Sequence, residues 1–313
     1  MAVLNKEGFQ GRDYITLKDY TSDEILYMLK VAKELKEETK AGVPHPILQG
    51  KNLAMIFTKS STRTRVSFEV GMLQLGGHAL FLSNRDIQIG RGEPIKDTAR
   101  VLSRMVDGIM IRTHSHQDVI DLAEYSDVPV INGLTDLFHP TQVLADLLTI
   151  QEHKQRLAGL KLSFIGDGNN MAHSLMNIAK LGLHIVIASP AGYRPDPEVF
   201  AQAQAAAQKG GGLIEIVEDP IAAAKDADVL YTDVWASMGQ EEEAAVRAKA
   251  FVGYQINDRS LKAAHKDAIV MHCLPAHRGE EITEDVLEGP QSVVFDEAEN
   301  RLHAHKAILA LLM

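Results

Sequence analysis

A cluster of hydroxyl and guanidinium groups occupies residues 59–65. The cluster reads Lys59-Ser60-Ser61-Thr62-Arg63-Thr64-Arg65. An arginine side chain matches two phosphate oxygens at once, and hydroxyl groups donate further hydrogen bonds to the same anion. The alternative is a surface turn with a Ser or Thr helix cap, which needs only one hydroxyl group. Because the cluster holds more polar groups than a cap needs, it favours a phosphate-binding turn.

Further groups suited to an anion occur at three later places. In the polar loop of residues 83–94, Gln88 is one of several donors, and an exposed mobile loop explains the same composition equally well. Arg112 ends an apolar run, and open α/β sheets bind ligands at the carboxyl ends of their strands. His139 precedes Pro140, which suits the first turn of a helix, so its imidazole projects near a helix start. A surface arginine and a packed histidine are the ordinary alternatives.

Acidic and amide groups follow in the second half of the chain. Asp233 follows a strand-like run and precedes Ser237-Met238-Gly239, and an acid beside a flexible segment makes a cation site that can close. Asn169 and Asn170 lie in the loop of a βαβ pattern. Met171 replaces the third glycine of a dinucleotide fingerprint there, and no acid follows the next strand. The loop is therefore expected to bind a polar small molecule instead of a dinucleotide.

Alternating apolar runs and helical patterns must position these groups. Apolar runs that precede polar clusters occupy residues 52–57, 106–112, 160–166, 229–231 and 268–271. Val66, Val70, Leu73 and Leu75 recur at helical spacing after the first cluster. Residues 21–24 form a capping-box pattern, which predicts the start of the first helix. The alternation indicates an α/β protein with a domain boundary near the charged connection at 152–160.

Composition excludes several classes of protein. The 313 residues carry a formal net charge of −10, so a nucleic-acid-binding surface is not expected. No apolar run approaches the roughly 20 residues that span a bilayer, and the N-terminus lacks a signal-type apolar core. The single cysteine, Cys273, excludes an intrachain disulfide and fits a reducing compartment. No Cys/His spacing matches a zinc site. We therefore expect a cytoplasmic protein with no membrane partner.

Four ordered motifs resemble those of the aspartate/ornithine carbamoyltransferase family, and the last two are most similar to its ornithine branch. They are Ser61-Thr62-Arg63-Thr64, His139-Pro140-Thr141-Gln142, Asp233 with Ser237-Met238-Gly239, and His272-Cys273-Leu274-Pro275. The resemblance implies two α/β domains, each with a parallel sheet flanked by helices, and an active site in the interdomain cleft. Residues 1–150 would bind carbamoyl phosphate and residues 151–296 ornithine, and a helix from about 297 to 313 would pack back on the first domain. A homotrimer, or a multiple of it, without metal or organic cofactor is also implied.

The resemblance further implies a role for each matching residue. The residues that would contact carbamoyl phosphate are Ser61, Thr62, Arg63, Thr64, Gln88, Arg112, His139, Pro140, Thr141, Gln142, Cys273, Leu274 and Arg301. Those that would contact ornithine are Asn169, Asn170, Asp233, Ser237 and Met238. Arg63, Arg112, His139 and Cys273 would act in the transfer of the carbamoyl group to the side-chain amine of ornithine, which gives citrulline and phosphate. Arg91 departs from the pattern of the relatives, and we assign it no role.

Three other interpretations compete with this one. The acceptor could be a different amine, such as putrescine, aspartate or an acylated ornithine, and the set around Asp233 is what distinguishes them. A nucleotide-binding oxidoreductase is disfavoured by the incomplete glycine fingerprint. A relative without catalytic activity, which only binds partners, is disfavoured by the intact motifs around Arg63 and His139.

Overall fold

The protein, represented by a computed structural model that describes residues 4–236 and 241–313, is divided into two units. Unit 1 comprises Met1–Leu148 and Glu299–Met313, and unit 2 comprises Thr149–Ala298. The last helix of the chain therefore contributes its main part to unit 1. Both units are α/β structures built on a parallel sheet, as the sequence predicts.

Helices and strands alternate along the chain. The elements of the first half are α1 (Ser22–Lys40), β1 (Asn52–Phe57), α2 (Thr62–Gln74), β2 (His78–Ser83), α3 (Ile95–Leu102), β3 (Gly108–Arg112), α4 (His116–Tyr125), β4 (Val130–Leu134) and α5 (Pro140–Lys154). Those of the second half are β5 (Lys161–Ile165), α6 (Asn170–Met176), β6 (His184–Ala188), α7 (Pro197–Lys209), β7 (Leu213–Val217), α8 (Pro220–Ala224), β8 (Val229–Thr232), α9 (Ala244–Ala250), α10 (Asp258–Ala263), β9 (Ile269–His272), α11 (Glu284–Leu287) and α12 (Val294–Leu312). Short 3-10 turns occupy Leu17–Asp19, Gln88–Arg91, Ala179–Leu181, Ala191–Tyr193 and Glu241–Glu243.

Each sheet reverses its strand order next to a central strand. Within the described residues, the sheet of unit 1 has the order β2-β1-β3-β4, and that of unit 2 has the order β7-β6-β5-β8-β9. The chain leaves β1 towards one side and returns on the other side as β3, and it does the same at β5 and β8. Such a reversal opens a crevice at the carboxyl ends of the two central strands, which is where open α/β sheets bind ligands. The segments after β1, β3, β5 and β8 are therefore the places to look for functional groups.

Burial distinguishes the central strands from two of the edge strands. Every residue of β3, β4, β8 and β9 is buried, because helices cover both faces of a parallel sheet. The outer sides of β4 and β9 also pair with neighbouring segments, through bridges from Tyr14 to Ile131 and from Ser292 to Val270. In contrast, β2 and β7 expose several of their residues. Edge strands that lack such a cover are available for contact with another surface.

Several helices begin at the residues that the sequence indicates. The capping box at Thr21 is confirmed, because its side chain accepts from the Glu24 N–H and the Glu24 carboxylate accepts from the Thr21 N–H. The helix α5 begins at Pro140, as expected. Ser61 caps α2, so the Ser or Thr cap given above as the alternative is present in this turn. These local signals fix where the helix N-termini lie relative to the strand ends.

The apolar pattern after residue 62 correctly predicts a helix but not its buried face. Val66 and Leu73 of α2 are 52% and 73% exposed. The side that packs inward instead carries Thr64, Ser67, Phe68, Gly71 and Met72. Two of these five are polar, and both form hydrogen bonds with side chains of the last helix, Thr64 with Arg301 and Ser67 with His305.

The longest helices of the described chain are α1 and α12, with 19 residues each. Both carry charged side chains along their length. Within residues 4–236 and 241–313, we find no helix long and apolar enough to cross a membrane.

Candidate active site

The hydroxyl and guanidinium cluster of unit 1 lies between the end of β1 and the first turn of α2. Ser61 is the N-cap, and its Oγ accepts from the Thr64 N–H at 3.3 Å. Thr62 and Arg63 occupy the first positions of the helix, where backbone N–H groups have no partner within the helix. These N–H groups, the positive end of the helix dipole and the Arg63 guanidinium together provide an anion site. Arg63 Nε is also buried without a hydrogen-bond partner in the described residues.

Two residues of α12 form hydrogen bonds with the first two turns of α2. Arg301 is 3% exposed, and its Nη2 donates to Thr64 Oγ1 at 2.6 Å. One turn later, His305 Nδ1 lies 2.8 Å from Ser67 Oγ, and the Ser67 hydroxyl donates to the Arg63 carbonyl at 2.7 Å. Because the Ser67 hydroxyl hydrogen is used in that bond, Nδ1 of His305 is the donor to Ser67.

Ser67 and His305 are part of this site although no sequence motif identifies them. The available signal was the spacing of four residues between Arg301 and His305, which places both on one side of a helix. That spacing alone does not say which neighbouring element the side faces, so the contact with α2 could not be inferred.

His139 is a neutral imidazole surrounded by cationic groups. It is buried, and its Nδ1 lies 3.4 Å from Thr141 Oγ1. Burial lowers the pKa of His139 well below its usual value, and the positive charges of Arg301 and Arg112 lower this pKa further. A neutral imidazole donates or accepts a hydrogen bond but adds no positive charge. Burial and the neighbouring positive charges therefore both favour the neutral form of His139.

The other predicted groups of unit 1 lie at three strand or helix ends. Arg112 ends β3 and is 7% exposed, and its backbone carbonyl accepts from the Thr58 N–H at 2.9 Å. Gln142 in the first turn of α5 is buried, and its Nε2 donates to Asp146 Oδ1 at 2.9 Å. Lys59, to which the sequence analysis gave no separate role, is 7% exposed and pairs with Asp136 at 3.3 Å. Its charge also acts on His139, so it belongs to the same cationic group.

Gln88 differs from the other predicted residues of unit 1 because it is exposed. It opens the 3-10 turn Gln88–Arg91, and its carbonyl accepts from the Glu93 N–H at 3.0 Å. The described structure therefore gives Gln88 no buried place beside His139 or Arg63. A contribution of its side chain to the cationic group of the same chain is not supported by this geometry.

In unit 2 the predicted amide and acid meet at the ends of β5 and β8. Asn169 caps α6, and its Oδ1 accepts from the N–H groups of Met171 at 2.9 Å and Ala172 at 3.4 Å. Its Nδ2 lies 3.4 Å from Asp233 Oδ2, at the outer limit of a hydrogen bond. Asn170, the first residue of α6, is 8% exposed. Asn169 therefore serves both the helix cap and the acid.

Cys273 joins this group from the end of β9. Its Sγ lies 3.1 Å from Asp233 Oδ1, and the same carboxylate oxygen accepts from the Val234 N–H at 2.8 Å. The thiol is half-buried. Leu274 follows with φ of +54°, a left-handed conformation that leucine adopts only where its surroundings hold it. Cys273 and Leu274, which the resemblance assigns to carbamoyl phosphate, thus belong to unit 2 with the acid.

A buried ion pair links the segment after β5 to α9 in the same unit. Asp167 Oδ2 and Arg247 Nη1 are 2.7 Å apart, and Arg247 also donates to the Trp235 carbonyl at 3.1 Å. Burial raises the pKa of Asp167 to about 6, against the opposing effect of Arg247. A Cβ on Gly168 would meet the backbone nitrogen of Pro195 at 2.2 Å. Gly168 is therefore required by close backbone packing, which explains a glycine there without a dinucleotide.

Two predicted ornithine residues, Ser237 and Met238, lie outside the described residues. In the part of the chain that is described, Asp233, His272 and Cys273 offer ligand atoms within 4.8 Å of one another, as do His277, Glu280 and Glu281. Both ring nitrogens of His272 already form hydrogen bonds, to the Leu274 N–H and to Glu281. A metal ion at the first group would have to displace one of these bonds.

Comparison with known families identifies two matching models that together cover most of the chain. The aspartate/ornithine carbamoyltransferase carbamoyl-P binding domain matches residues 12–152. The Asp/Orn binding domain of the same family matches residues 158–312. The two matches fall on the parts of the chain that form most of unit 1 and of unit 2.

Individual proteins are similar over almost the full length. An ornithine carbamoyltransferase of Symbiobacterium thermophilum is 59% identical over 305 residues, which cover 97% of this chain and 98% of that protein. The anabolic ornithine carbamoyltransferase of Pyrococcus furiosus is 58% identical over 304 residues, covering 97% and 96%. The solved structure of ornithine carbamoyltransferase from Pyrococcus furiosus aligns with a TM-score of 0.94 at 58% identity and covers 97% of each chain.

Proposed function

Because the chain belongs to the aspartate/ornithine carbamoyltransferase family, we propose that unit 1 binds carbamoyl phosphate and unit 2 binds ornithine. The enzyme transfers the carbamoyl group of carbamoyl phosphate to the side-chain amine of L-ornithine and releases citrulline and phosphate. In this proposal residues 1–150 and the helix from about 297 form the carbamoyl phosphate domain, and residues 151–296 form the ornithine domain. The observation that carries the assignment is the buried His139, which directly precedes α5 and whose pKa is lowered by burial and by the charges of Arg301 and Arg112.

Carbamoyl phosphate needs two kinds of partner, and unit 1 provides both. The phosphate is bound by the first turn of α2, with Ser61, Thr62 and Thr64 as hydroxyl and backbone donors and Arg63 as the guanidinium. Arg112 and His139 bind the carbamoyl oxygen, and the neutral imidazole donates from Nε2 when the Thr141 hydroxyl donates to Nδ1. The remaining residues assigned to this substrate are Gln88, Pro140, Thr141, Gln142, Cys273, Leu274 and Arg301.

Ornithine carries positive and negative groups, and unit 2 offers a partner for each. The Asp233 carboxylate pairs with the α-ammonium group, and Asn170 binds the α-carboxylate through its amide. Asn169 orients Asp233 by its contact at 3.4 Å. Ser237 and Met238 complete this set by resemblance to the family. This arrangement leaves the side-chain amine of ornithine unpaired and able to react.

The reaction needs a neutral amine and a stabilised oxyanion. The side-chain amine has a lysine-like reference pKa near 10.4, so it must lose a proton before its lone pair can attack. As the C–N bond forms, negative charge grows on the carbamoyl oxygen and the attacking nitrogen becomes positive. The carbon–oxygen bond to phosphate then breaks with its electron pair leaving on phosphate, and the proton of the nitrogen passes to the departing phosphate. Preorganised donors such as Arg63, Arg112 and His139 are typically worth about 3 kcal/mol each in such a transition state. Cys273 acts as a positioning group or proton partner, because the substrate supplies the nucleophile.

An acceptor assay tests this function. The protein is incubated with carbamoyl phosphate and L-ornithine, putrescine, aspartate or N-acetylornithine, and phosphate release and the carbamoylated product are measured. We expect citrulline from ornithine, with at least about a hundredfold lower kcat/KM for the others, because each leaves a charged or polar group of unit 2 without its partner. Preference for another acceptor would overturn the ornithine assignment, and no transfer to any acceptor would overturn the enzymatic one.

The assembly we propose is a homotrimer, or a multiple of it, built from unit 1. The apolar side chains of α2 that point outward, Val66 and Leu73, lie seven residues apart on one side of the helix. The edge strand β2 adds Leu80 and Phe81, and the Arg65 guanidinium of α2 lies 3.7 Å above the Phe81 ring. These exposed apolar residues lie on neighbouring elements of unit 1. A neighbouring chain on this surface would also give the exposed Gln88 a site to serve outside its own chain.

The mass of the protein in solution tests the assembly. We expect a multiple of three times the 34.4 kDa chain by light scattering. Leu73→Asp should yield smaller species, because it places a charge in the apolar surface. Val252→Asp is the matched control, since Val252 is 77% exposed but lies in unit 2. A monomeric parent protein, or equal dissociation by both variants, would contradict this assembly.

We also propose a cytoplasmic location and a role in arginine biosynthesis. The single cysteine fits a reducing compartment. The printed name of the Pyrococcus furiosus relative contains the word anabolic. That name supports the biosynthetic direction over the degradative one for this chain.

A further inference from the structure

The loop that carries Cys273 and Leu274 is closed at its base by a buried hydrogen bond between a histidine and a glutamate. His272 ends β9, and Glu281 lies nine residues later, at the other end of the loop. His272 Nε2 and Glu281 Oε1 are 2.9 Å apart, and both side chains are 0% exposed. Burying a polar side chain costs free energy unless hydrogen bonds offset the loss of water, and Glu281 Oε1 forms such bonds.

Each member of the pair also holds a backbone N–H of the loop. The Leu274 N–H donates to His272 Nδ1 at 2.9 Å, and the His277 N–H donates to Glu281 Oε1 at 2.6 Å. Because Nδ1 accepts, the hydrogen of the neutral ring is on Nε2, which donates to Glu281. The carboxylate thereby fixes the tautomer that holds Leu274. This bond explains how Leu274 is kept at its left-handed φ of +54°.

The strand side of the loop is held by a second buried carboxylate. Glu297 Oε2 accepts from the His272 N–H at 2.9 Å, and Glu297 Oε1 accepts from the Tyr231 hydroxyl at 3.0 Å. Cys273 therefore lies between two residues whose backbone N–H groups are both fixed. The 3.1 Å contact of its Sγ with Asp233 depends on this placement.

We propose that Glu281, acting through His272, is a positioning residue for the ornithine-binding group of unit 2. The inference rests on the proposed function, in which Asp233 binds ornithine and Cys273 lies beside it. Removal of the carboxylate leaves the buried His272 Nε2–H without its acceptor. The ring then changes tautomer or rotates, Leu274 loses its bond, and Cys273 no longer holds its distance from Asp233.

Three substitutions at Glu281 and one matched control separate this role from general destabilisation. Glu281→Gln keeps an oxygen that can accept both hydrogen bonds, and Glu281→Asp keeps the charge but withdraws it by one methylene group. Glu281→Ala removes the acceptor. The control is Glu280→Ala, which removes the neighbouring acid of the same loop, whose side chain is 57% exposed.

The first readout is the division between the two substrates. We expect Glu281→Ala to raise the KM for ornithine at least about tenfold, because small misplacements in a site have large effects, while the KM for carbamoyl phosphate stays within about twofold. Glu281→Asp should also raise the KM for ornithine selectively, but by less. This variant is used for the test if Glu281→Ala does not fold. Glu281→Gln should restore the parent behaviour, and Glu280→Ala should match the parent.

The second readout needs no substrate. Cys273 is the single cysteine, so the rate of its reaction with a small disulfide reagent such as DTNB reports on this loop alone. We expect the rate to rise at least about threefold in Glu281→Ala, as the thiol leaves its partner, and to stay at the parent value in Glu281→Gln.

The outcomes distinguish this inference from the proposed function. A folded Glu281→Ala protein with parent thiol reactivity and parent ornithine KM overturns the positioning role. So does an equal rise of both KM values, or a faster thiol reaction with an unchanged ornithine KM. If the thiol reaction responds as expected but the parent protein transfers no carbamoyl group, the proposed function fails and only the support of the loop by Glu281 stands.

Discussion

The two units place groups of opposite charge at the same position of similar sheets. In unit 1, Arg63 follows β1 and Arg112 ends β3, and the charge of Arg112 acts on the buried His139. In unit 2, the segments after β5 and β8 carry amides and Asp233. Both positions are reversal points of strand order. The fold therefore determines where a ligand binds, and the side chains at the strand ends determine which ligand it is.

The two groups are also braced in different ways. In unit 1, Arg301 and His305 reach the first turn of α2 from a separate helix that is distant in sequence. In unit 2, His272 and Glu281 support a loop from its own two ends. An oxyanion needs donors that are fixed before it arrives, since preorganised dipoles do not have to reorient during the reaction. The brace from α12 meets that need in unit 1.

Removal of a donor from unit 1 gives the largest expected effect. We expect Arg63→Ala to lower kcat about 10²- to 10³-fold and to raise the KM for carbamoyl phosphate, because a preorganised charge at the phosphate is lost. Steady-state kinetics with each substrate varied in turn measures both changes. Arg100→Ala, on the exposed side of α3, is the control. If Arg63→Ala has near-normal kinetics, the cationic groups of unit 1 do not bind the phosphate, and the functional difference between the two units is contradicted.

The pH dependence should enter through the ornithine side. Burial holds the pKa of both His139 and His305 well below the usual histidine range, so these two groups stay neutral between pH 6 and 8. Over the same range the neutral fraction of an amine with a pKa near 10.4 rises about a hundredfold. We therefore expect kcat/KM for ornithine to climb steeply from pH 6 to 8.

The KM for carbamoyl phosphate should change much less over this pH range, and initial rates at fixed ionic strength measure both parameters. A flat profile for ornithine would contradict the requirement for a neutral amine. If only the KM for carbamoyl phosphate changes steeply with pH, the titrating group lies in unit 1, and the pH dependence does not come from ornithine.

The sequence predicts the order of elements and the local caps well, because both depend on neighbouring residues. The strand Asn52–Phe57, the capping box at Thr21 and the helix start at Pro140 are all where short-range patterns place them. The outward direction of Val66 and Leu73 was not predicted. Helical spacing shows that residues share a side, but it does not show whether that side meets the core or another surface.

Long-range polar contacts were beyond the reach of the sequence. His305 and Ser67 are 238 residues apart, and no local pattern connects them. The pairing of His272 with Glu281 was missed for a different reason: the acid lies in a charged, loop-like stretch that looks solvent-exposed. Only the three-dimensional structure shows that Glu281 is 0% exposed.

A substitution in unit 2 should affect one substrate selectively. We expect Asp233→Asn to raise the KM for ornithine about tenfold or more, because the ion pair with the α-ammonium group is lost while the shape of the side chain is kept. The KM for carbamoyl phosphate should rise by less than about threefold. Asp226→Asn, at a turn of the same unit, is a suitable control. Equal effects on both substrates would show that Asp233 supports the site as a whole instead of binding the amino acid.

The smallest expected effect concerns stability. It tests whether a buried lysine in α12, the helix that supports the first turn of α2, lowers the free energy of unfolding at neutral pH. Lys306 of α12, next to His305, is 0% exposed, and its Nζ lies 2.6 Å from Thr39 Oγ1 and 3.2 Å from His45 Nε2. Burial lowers the pKa of Lys306 to about 8. The folded protein therefore favours the neutral amine. The contribution of Lys306 to stability is lowest, and constant, below about pH 8 and increases as the pH rises towards 10.5.

We expect Lys306→Met to be at least as stable as the parent at pH 7, because a desolvated charge is replaced by an apolar side chain of similar length. Between pH 7.5 and 10 the parent should gain about 2 kcal/mol relative to the variant. Urea unfolding of both proteins at several pH values measures this difference, and the comparison cancels titrations that they share. If the two stability curves stay parallel over this pH range, the pKa of Lys306 is not lowered in the folded protein. The buried lysine of α12 would then not reduce the stability of unit 1.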